Sequence, residues 1–260
     1  MLCSLCGREN RENAKFCDSC GAALDATVTR TGVDPELDAV RKAFHERYAV
    51  ESLLGRGGMG NVYKARERTL DRYVAVKIVP EQRAQDESFL ERFRREARIA
   101  ARLRHPRIVS VHEVGTMGPF AYFSMDYIDG STLRAIVKRH GPLPHEDSVS
   151  IVTEICRAVA HAHSKGIIHR DLKPENVMID SEGDVFVMDF GLARAVEEAA
   201  DLTQPGMIMG TPSFMSPEQL GGEKLDERSD IYSIGLILYY CLTGDDLFSA
   251  DGITATMVKH

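Results

Sequence analysis

The stretch HRDLKPENVMIDSEGDVFVMDFG, residues 169–191, decides how this chain of 260 residues can be interpreted. It contains two acids, Asp171 and Asp189, with Lys173 and Asn176 between them. These polar residues stand directly beside the apolar runs VMI and VFVM. Carboxylates are costly to bury unless they have a partner, so acids next to apolar runs call for an explanation from the rest of the sequence.

The composition indicates an ordinary soluble globular protein, with 43% hydrophobic and 27% charged residues. The net charge of −7 argues against a chain that binds nucleic acid along its whole length. The N-terminus does not have the pattern of a signal peptide. The apolar run at 231–242 is too short to cross a bilayer and is typical of a buried helix. We therefore expect no membrane segment within these residues and a cytoplasmic location, with an anchor beyond residue 260 left open.

Changes in composition along the chain predict three sections. Residues 1–24 are rich in cysteine, and residues 25–47 form a polar linker with a short helix that starts at Asp34-Pro35. The third section is the large domain, in which residues 48–128 are rich in β-type runs and residues 129–260 are mainly helical. A β-rich part followed by a helix-rich part predicts two lobes.

The four N-terminal cysteines form two CxxC pairs. The first pair is Cys3 and Cys6, and the second pair is Cys17 and Cys20. Two such pairs can place four thiolates around a tetrahedral Zn²⁺ ion. Disulfides are the alternative, but the chain lacks the features of a secreted protein. The stretch resembles the short zinc ribbons of bacterial proteins, which implies structural Zn²⁺ and a structural or protein-contact role.

A glycine pattern and a lysine indicate phosphate binding in the β-rich section. Residues Gly55, Gly57, Gly60 and Val62 match GxGxxGxV, and a β-type run follows where a dinucleotide-binding fold would have a helix. A glycine hairpin can lay backbone amides over phosphates. The lysine of VAVK, Lys77, needs an anionic partner if it is buried; the alternative is an edge-strand lysine that reaches water.

Seven motifs occur in the order and spacing of one family: the glycine loop, VAVK, a helix glutamate at Glu96, HRDLKPEN, DFG, GTPSFMSPE and DIYSIG. Over residues 48–260 the chain resembles the protein kinases, and most closely the eukaryotic-like Ser/Thr kinases of bacteria. The resemblance implies an α+β fold with a β-rich N-lobe and a helical C-lobe, here preceded by a small zinc ribbon. Lys173 in DLKPEN matches the Ser/Thr class rather than the tyrosine class.

The resemblance also implies an answer to the question raised by the acids, which would handle a proton and metal ions. Asp171 would accept the proton of a substrate hydroxyl, and Lys173 would steady the γ-phosphate of ATP. Asn176 and Asp189 would hold Mg²⁺, with Mn²⁺ as an alternative. The apolar runs would be strands that fix the two acids rigidly.

The implied ATP site is built mainly from the β-rich section. Lys77 would hold the α- and β-phosphates and would be positioned by Glu96. Met125 would lie at the back of the adenine pocket, with Asp126 and Ile128 in the hinge. The full set implied to contact ATP or its metal ions is Leu54, Gly55, Gly57, Gly60, Val62, Ala75, Lys77, Met125, Asp126, Ile128, Asn176 and Asp189.

The resemblance implies control by phosphorylation. Arg170 would pair with a phosphate on the activation segment. Thr203 is the candidate acceptor, with an unmodified loop hydroxyl as the alternative. The implied partners are proteins bearing Ser or Thr, together with a second copy of the chain during autophosphorylation.

Three functions remain open from the sequence. The first is an active kinase, the second a truncated, inactive nucleotide-binding or scaffold module, and the third a nucleic-acid binder built on the ribbon. The large lobe of the family normally continues further and supplies an Arg partner for the acid that corresponds to Glu218. We therefore expect the chain to be a fragment, with one side of the helix at 231–242 uncovered.

Overall fold

The computed structural model describes residue 11, residues 35–57, 60–79, 86–190 and 212–248, and residue 259. Within these ranges, the side chains of Pro35, Arg92, Glu96 and Pro212 lie outside the described residues.

Some of the residues that the sequence singled out lie outside the described residues. They are the four cysteines of the predicted zinc ribbon and the candidate phosphate acceptor, namely Cys3, Cys6, Cys17, Cys20 and Thr203. The structure therefore does not test the proposed zinc ligands or the phosphorylation site, and both stay predictions.

The N-terminal lobe is built on a five-stranded antiparallel sheet in the order β1-β2-β3-β5-β4. Its strands are β1 (Tyr48–Gly57), β2 (Gly60–Glu67), β3 (Arg72–Ile78), β4 (Val111–Met117) and β5 (Phe120–Asp126). Their β-branched and aromatic residues suit a pleated surface with helices packed on it. The β-rich section predicted from the sequence is therefore an antiparallel sheet.

Helix α1 (Pro35–Phe44) covers one face of this sheet. Its Val40 and Phe44 are buried, and the Phe44 ring lies 5.1 Å from the Tyr122 ring in an edge-to-face arrangement. Burying side chains of this size stabilises the contact by about 1.5–3 kcal/mol each. The segment predicted as a linker helix is thus packed into the core of the lobe.

Helix α2 (Glu87–Ala100) covers the opposite face of the sheet. The helix starts at Asp86, whose side chain accepts a hydrogen bond from the Phe89 N–H. Phe93 is fully buried, with its ring 5.0 Å from that of Phe123. Because side chains alternate along a strand, Lys77 shares this second face with Ala75.

The C-terminal lobe is mainly helical. Its helices among the described residues are α3 (Leu133–His140), α4 (His145–Ser164), the short α5 (Pro217–Leu220) and α6 (Glu227–Thr243). Helices α4 and α6 pack together, with Ile155 and Ile237 fully buried in one cluster. The predicted two-lobed α+β architecture is confirmed.

The apolar runs of residues 169–191 form two strands of a small antiparallel sheet. This sheet contains β6 (Gly130–Thr132), β7 (Val177–Asp180) and β8 (Val185–Val187). The backbone of Val187 bonds to Arg107 O and Val109 N, in the connection that leads from α2 into β4. This sheet therefore holds the residues just before β7 and just after β8 at the junction of the lobes.

Helix α6 buries only part of its apolar surface among the described residues. Ile234 and Ile237 lie in the core, whereas Ile231 is 61% exposed, and Tyr239 and Leu242 also face outward. The structure thus has an exposed apolar side on this helix. Within the part of the chain that the structure describes, no helix combines the length and apolar character needed to cross a membrane.

Candidate active site

Three polar residues of the 169–191 stretch meet at one point. The Asp171 carboxylate accepts hydrogen bonds from Lys173 Nζ at 2.9 and 2.8 Å and from Asn176 Nδ2 at 3.1 Å. Asn176 Nδ2 also bonds to the Asp171 carbonyl oxygen at 2.8 Å. The side chain of Asp171 remains 26% exposed, so a second molecule can reach it. The arrangement is an accessible carboxylate held between a cation and an amide.

The backbone around this cluster explains its position. Pro174–Asn176 forms one turn of 3₁₀-helix that leads into β7, and Asn176 is buried there. The Met188 N–H, directly after β8, donates to the Asn176 carbonyl at 2.9 Å. Because Asp189 follows Met188, the β7–β8 hairpin fixes both predicted metal-binding residues from one small sheet.

Lys77 joins the two lobes. It lies in β3, an inner strand between β2 and β5, and is only 5% exposed. Its Nζ lies 3.2 Å from Asp189 Oδ1. The buried lysine therefore has an anionic partner, so the alternative of an edge lysine that reaches water does not describe it. Glu96 lies in α2, but its side chain is outside the described residues.

The glycine pattern forms the hairpin between β1 and β2. Gly55 is opposite Val62, and Val62 is opposite Lys77, so the loop and the lysine lie on adjacent strands. Gly60 has φ of +147°, and a Cβ added there would meet the Ile78 carbonyl oxygen at 2.6 Å. Only glycine fits that position without a shift of the backbone.

The residues expected around adenine lie on neighbouring strands. Ala75 and Met125 are opposite each other in the β3–β5 ladder, and both are buried. Leu54 is 42% exposed on β1, and Ile128 is half-buried in the segment after β5. The structure thus brings Ala75, Met125 and Ile128 into one apolar cluster, while Leu54 lies on β1.

The hinge is fastened by the side chain of Asp126. Its Oδ2 accepts a hydrogen bond from Ser110 N at 2.9 Å, and its Oδ1 lies 2.9 Å from His112 Nε2. The Asp126 N–H donates to the Ser110 carbonyl at 3.0 Å. Asp126 thus holds the start of the hinge against the segment before β4.

Asp230 is a residue of the site to which the sequence motifs gave no role. Its carboxylate is 1% exposed and accepts from His169 N at 2.8 Å, Arg170 N at 2.9 Å and His163 Nε2 at 2.7 Å. Burial opposes its ionisation, but these hydrogen bonds outweigh that cost and lower the pKa of Asp230. The signal in the sequence was an acid in the first turn of an apolar helix, within DIYSIG.

The backbone before Asp171 is held in an uncommon conformation. Arg170 has φ of +68°, a region that residues other than glycine rarely adopt. Its N–H donates to Asp230, and its carbonyl accepts from Gln219 Nε2 at 2.5 Å. Such a conformation costs on the order of 1–3 kcal/mol, so Asp230 and Gln219 act as the anchors that hold it.

His169 connects this anchor to the acids. Its Nε2 lies 2.9 Å from the Met188 carbonyl, which can only accept, and its Nδ1 lies 3.3 Å from the Asp171 N–H, which can only donate. The ring therefore carries its proton on Nε2 and accepts at Nδ1. Its ring packs against the Phe190 ring in a tilted arrangement, with the centroids 4.5 Å apart.

Glu218 has a different partner from the Arg that the resemblance implied. Ser229 Oγ donates to Glu218 Oε1 at 2.5 Å, and this hydrogen bond lowers the pKa of Glu218. Ser229 lies in the first turn of α6, three residues after its N-cap Asp226. The end of the activation segment is thereby tied to the same helix that supplies Asp230.

The structure thus places the glycine hairpin on the strand beside the buried Lys77, and Asp189 of the second lobe meets that lysine. Residues 48–260 match the family model described as the protein kinase domain. The chain belongs to the protein kinase family. Residues 2–24 match the model described as a zinc-ribbon domain. The predictions of a kinase fold and of an N-terminal ribbon are both confirmed.

Similar proteins agree with this family assignment. The serine/threonine-protein kinases PknB of Mycobacterium leprae and Mycobacterium tuberculosis are 45% and 44% identical over 219 and 220 residues, which is 83% of this chain. A probable serine/threonine-protein kinase PknB of Lactococcus lactis is 42% identical over 222 residues, or 85% of the chain. The matched part spans 35% of the length of each of these relatives.

Proposed function

We propose that this chain transfers the γ-phosphate of ATP to serine or threonine hydroxyls of proteins. One observation carries the proposal: the accessible Asp171 carboxylate is held by Lys173 and Asn176, while Asp189 meets the buried Lys77 across the lobes. Phosphoryl transfer depends mainly on positioning and on neutralising phosphate charge, and this geometry offers both. The names of the relatives support the Ser/Thr class.

Each residue of the cluster has a role that fits its contacts. Asp171 orients the attacking hydroxyl and accepts its proton, because its carboxylate is partly exposed and already placed by two donors. Lys173 lies 2.8 Å from that carboxylate, and its charge would steady the γ-phosphate. Lys77 holds the phosphates that remain with the nucleotide.

The donor atoms suit a magnesium ion. Asn176 uses its amide nitrogen on Asp171, which turns its amide oxygen to other partners, and Asp189 supplies a carboxylate. Such hard oxygen ligands are those that Mg²⁺ prefers, and Mn²⁺ accepts the same set. The metal would neutralise phosphate charge, while Asn176 and Asp189 hold it.

The test of this function is the identity of the phosphorylated residue. The purified chain, incubated with Mg-ATP and a mixed protein substrate, should yield phosphoserine and phosphothreonine, and EDTA should stop the reaction. Phosphotyrosine alone, or no transfer by a folded chain that binds Mg-ATP, would contradict the proposal. The latter outcome would support the inactive nucleotide-binding module, which the presence of Lys77, Asp171, Asn176 and Asp189 disfavours.

Phosphorylation of Thr203 is proposed as the activating event, with Arg170 as the residue that pairs with the phosphate. One copy of the chain would phosphorylate another in the cytoplasm. Peptide mapping of the chain after reaction with Mg-ATP should locate phosphate on Thr203. An intact-mass gain of equal size in Thr203→Ala would rule out this residue as the main site.

The cysteine pairs are proposed to hold one structural Zn²⁺ ion, with Cys3, Cys6, Cys17 and Cys20 as its four ligands. The match of residues 2–24 to the zinc-ribbon domain supports this assignment. So small a unit cannot bury enough surface to fold alone, and metal binding supplies the missing free energy. Its role is proposed to be contact with proteins rather than with nucleic acid.

Removing one thiolate should abolish the zinc site. We expect about one zinc per chain in the parent and a large loss in Cys17→Ser, because a structural site needs all four ligands. Elemental analysis of the purified chains measures this. Cys156→Ser, which changes an exposed cysteine of α4, should keep its zinc. Equal zinc contents in parent and Cys17→Ser would show that the pairs do not form the site.

A further inference from the structure

Helix α1 lies outside both of the matched family regions, 2–24 and 48–260, yet it is packed on the kinase sheet. Val40 and Phe44 anchor its C-terminal half in the core. Arg41 adds hydrogen bonds to the carbonyls of Val50 and Glu51 at 3.0 and 2.6 Å. These contacts anchor α1 on the sheet, so side chains of its first turn are held close to the β1–β2 hairpin.

Glu36, in the first turn of α1, contacts both strands of the glycine hairpin. Glu36 Oε1 accepts a hydrogen bond from Asn61 Nδ2 at 2.6 Å. Its Oε2 lies 3.6 Å from Arg56 Nη1. Arg56 directly precedes Gly57 at the end of β1, and Asn61 directly follows Gly60 at the start of β2.

Asn61 and Arg56 are direct cross-strand partners close to the glycine turn. One carboxylate thus bridges the two strands at the point where the hairpin enters the phosphate-binding loop. Asn61 is 6% exposed and the Glu36 side chain is 34% exposed, so their hydrogen bond is shielded from water mainly on the Asn61 side. Arg56 is 59% exposed, so its contact adds less.

Side chains alternate between the two faces of β2, so the Glu36 contact to Asn61 and the proposed nucleotide site lie on opposite faces of the strand. Tyr63 and Ala65 pack with α1 on one face, and Asn61 shares that face by the period of two. Val62 packs on the opposite face, with Ala75 and Met125. Glu36 consequently contacts the hairpin from the α1 face of the sheet, opposite the face that carries Val62.

We propose that Glu36 is a positioning residue that holds the glycine loop over the ATP phosphates from helix α1. The inference rests on the proposed function, because it assigns a further residue to the same nucleotide site. Glycine-rich segments lose much conformational freedom when they are ordered. A loop that is already held loses less on binding, so Glu36 raises the affinity for Mg-ATP more than it changes the rate of transfer.

The test compares Glu36→Ala with Asp38→Ala in the full 260-residue chain. Asp38 lies on the same helix. Among the described residues its one ion pair is with Arg41, at 4.0 Å. Loss of one partly buried, charge-assisted bond should raise the KM for ATP about fivefold in Glu36→Ala, with kcat within about twofold of the parent. Asp38→Ala should match the parent. Glu36→Gln, which can still accept from Asn61, should recover most of the loss.

A second readout does not depend on catalysis. Without nucleotide, the backbone amides of Asn61 and Val62 should exchange hydrogen faster in Glu36→Ala than in the parent, since the hairpin opens more readily. Parent-like exchange together with a parent-like KM would overturn the inference. A parent that binds no Mg-ATP would overturn the proposed function. The exchange rates would then decide whether Glu36 holds the hairpin.

Discussion

Replacing Asp171 with Asn lowers phosphoryl transfer by about a thousandfold and leaves Mg-ATP binding close to that of the parent; this is the largest effect that we expect. An amide has nearly the shape of the carboxylate but cannot take the proton of the attacking hydroxyl. The variant also presents an NH₂ group where Lys173 Nζ now donates, at 2.8 and 2.9 Å. Both changes strike the chemical step rather than the fold.

The measurement is kcat for transfer to a peptide, with nucleotide affinity determined separately by calorimetry. Glu182→Gln is the matched control, because it makes the same change on an exposed residue in the turn between β7 and β8. It should behave as the parent. A fall of less than about tenfold in Asp171→Asn, with the affinity for Mg-ATP unchanged, would show that another group accepts the proton.

The second large effect is expected at Asp230, where Asn should lower both stability and activity. The buried carboxylate serves three donors, and an amide can accept through only one of its two terminal atoms. Leaving buried donors unpaired should cost about 3 kcal/mol of the free energy of unfolding. Arg170 should then leave its left-handed conformation more readily and displace Asp171, so kcat should fall as well.

Denaturant unfolding and kcat measure the two effects. Asp226→Asn is the control on the same helix: Asp226 is its N-cap, and Asn caps a helix about as well as Asp. Because the pKa of Asp230 is lowered in the folded state, its carboxylate stabilises the fold above about pH 4 and this contribution is lost as the pH falls through the folded-state pKa. The gap in stability between parent and Asp230→Asn should therefore narrow in acid. An equal stability of the two chains at neutral pH would contradict this account.

Most of the candidate site could be predicted from local motifs, because each motif is a short segment that can be recognised from its own residues. Burial cost indicated that Lys77 and the acids of 169–191 need partners, and the glycine spacing indicated a phosphate loop, whereas the roles of these residues came from the resemblance to the protein kinases. The pairing of Gly55 with Val62, and of Val62 with Lys77, then follows from two consecutive hairpins. Such contacts are close in sequence and leave few alternatives.

The contacts that join distant parts of the chain could not be predicted in this way. Asp230 bonds to backbone groups 60 and 61 residues earlier, and no local rule links an acid in an apolar helix to those amides. Gln219 reaches back 49 residues to Arg170. Helix α1 was predicted from its start signal at Asp34-Pro35, but that local signal could not show that Val40 and Phe44 would be buried against the sheet.

The most direct test of the central claim is the intact mass of the 260-residue chain after incubation with Mg-ATP, beside Asp171→Asn and beside a sample with EDTA. The account predicts mass gains in whole phosphate units in the parent alone. A folded parent that binds Mg-ATP but gains no phosphate, and transfers none to added protein, would contradict the claim that these residues form a working phosphoryl-transfer site.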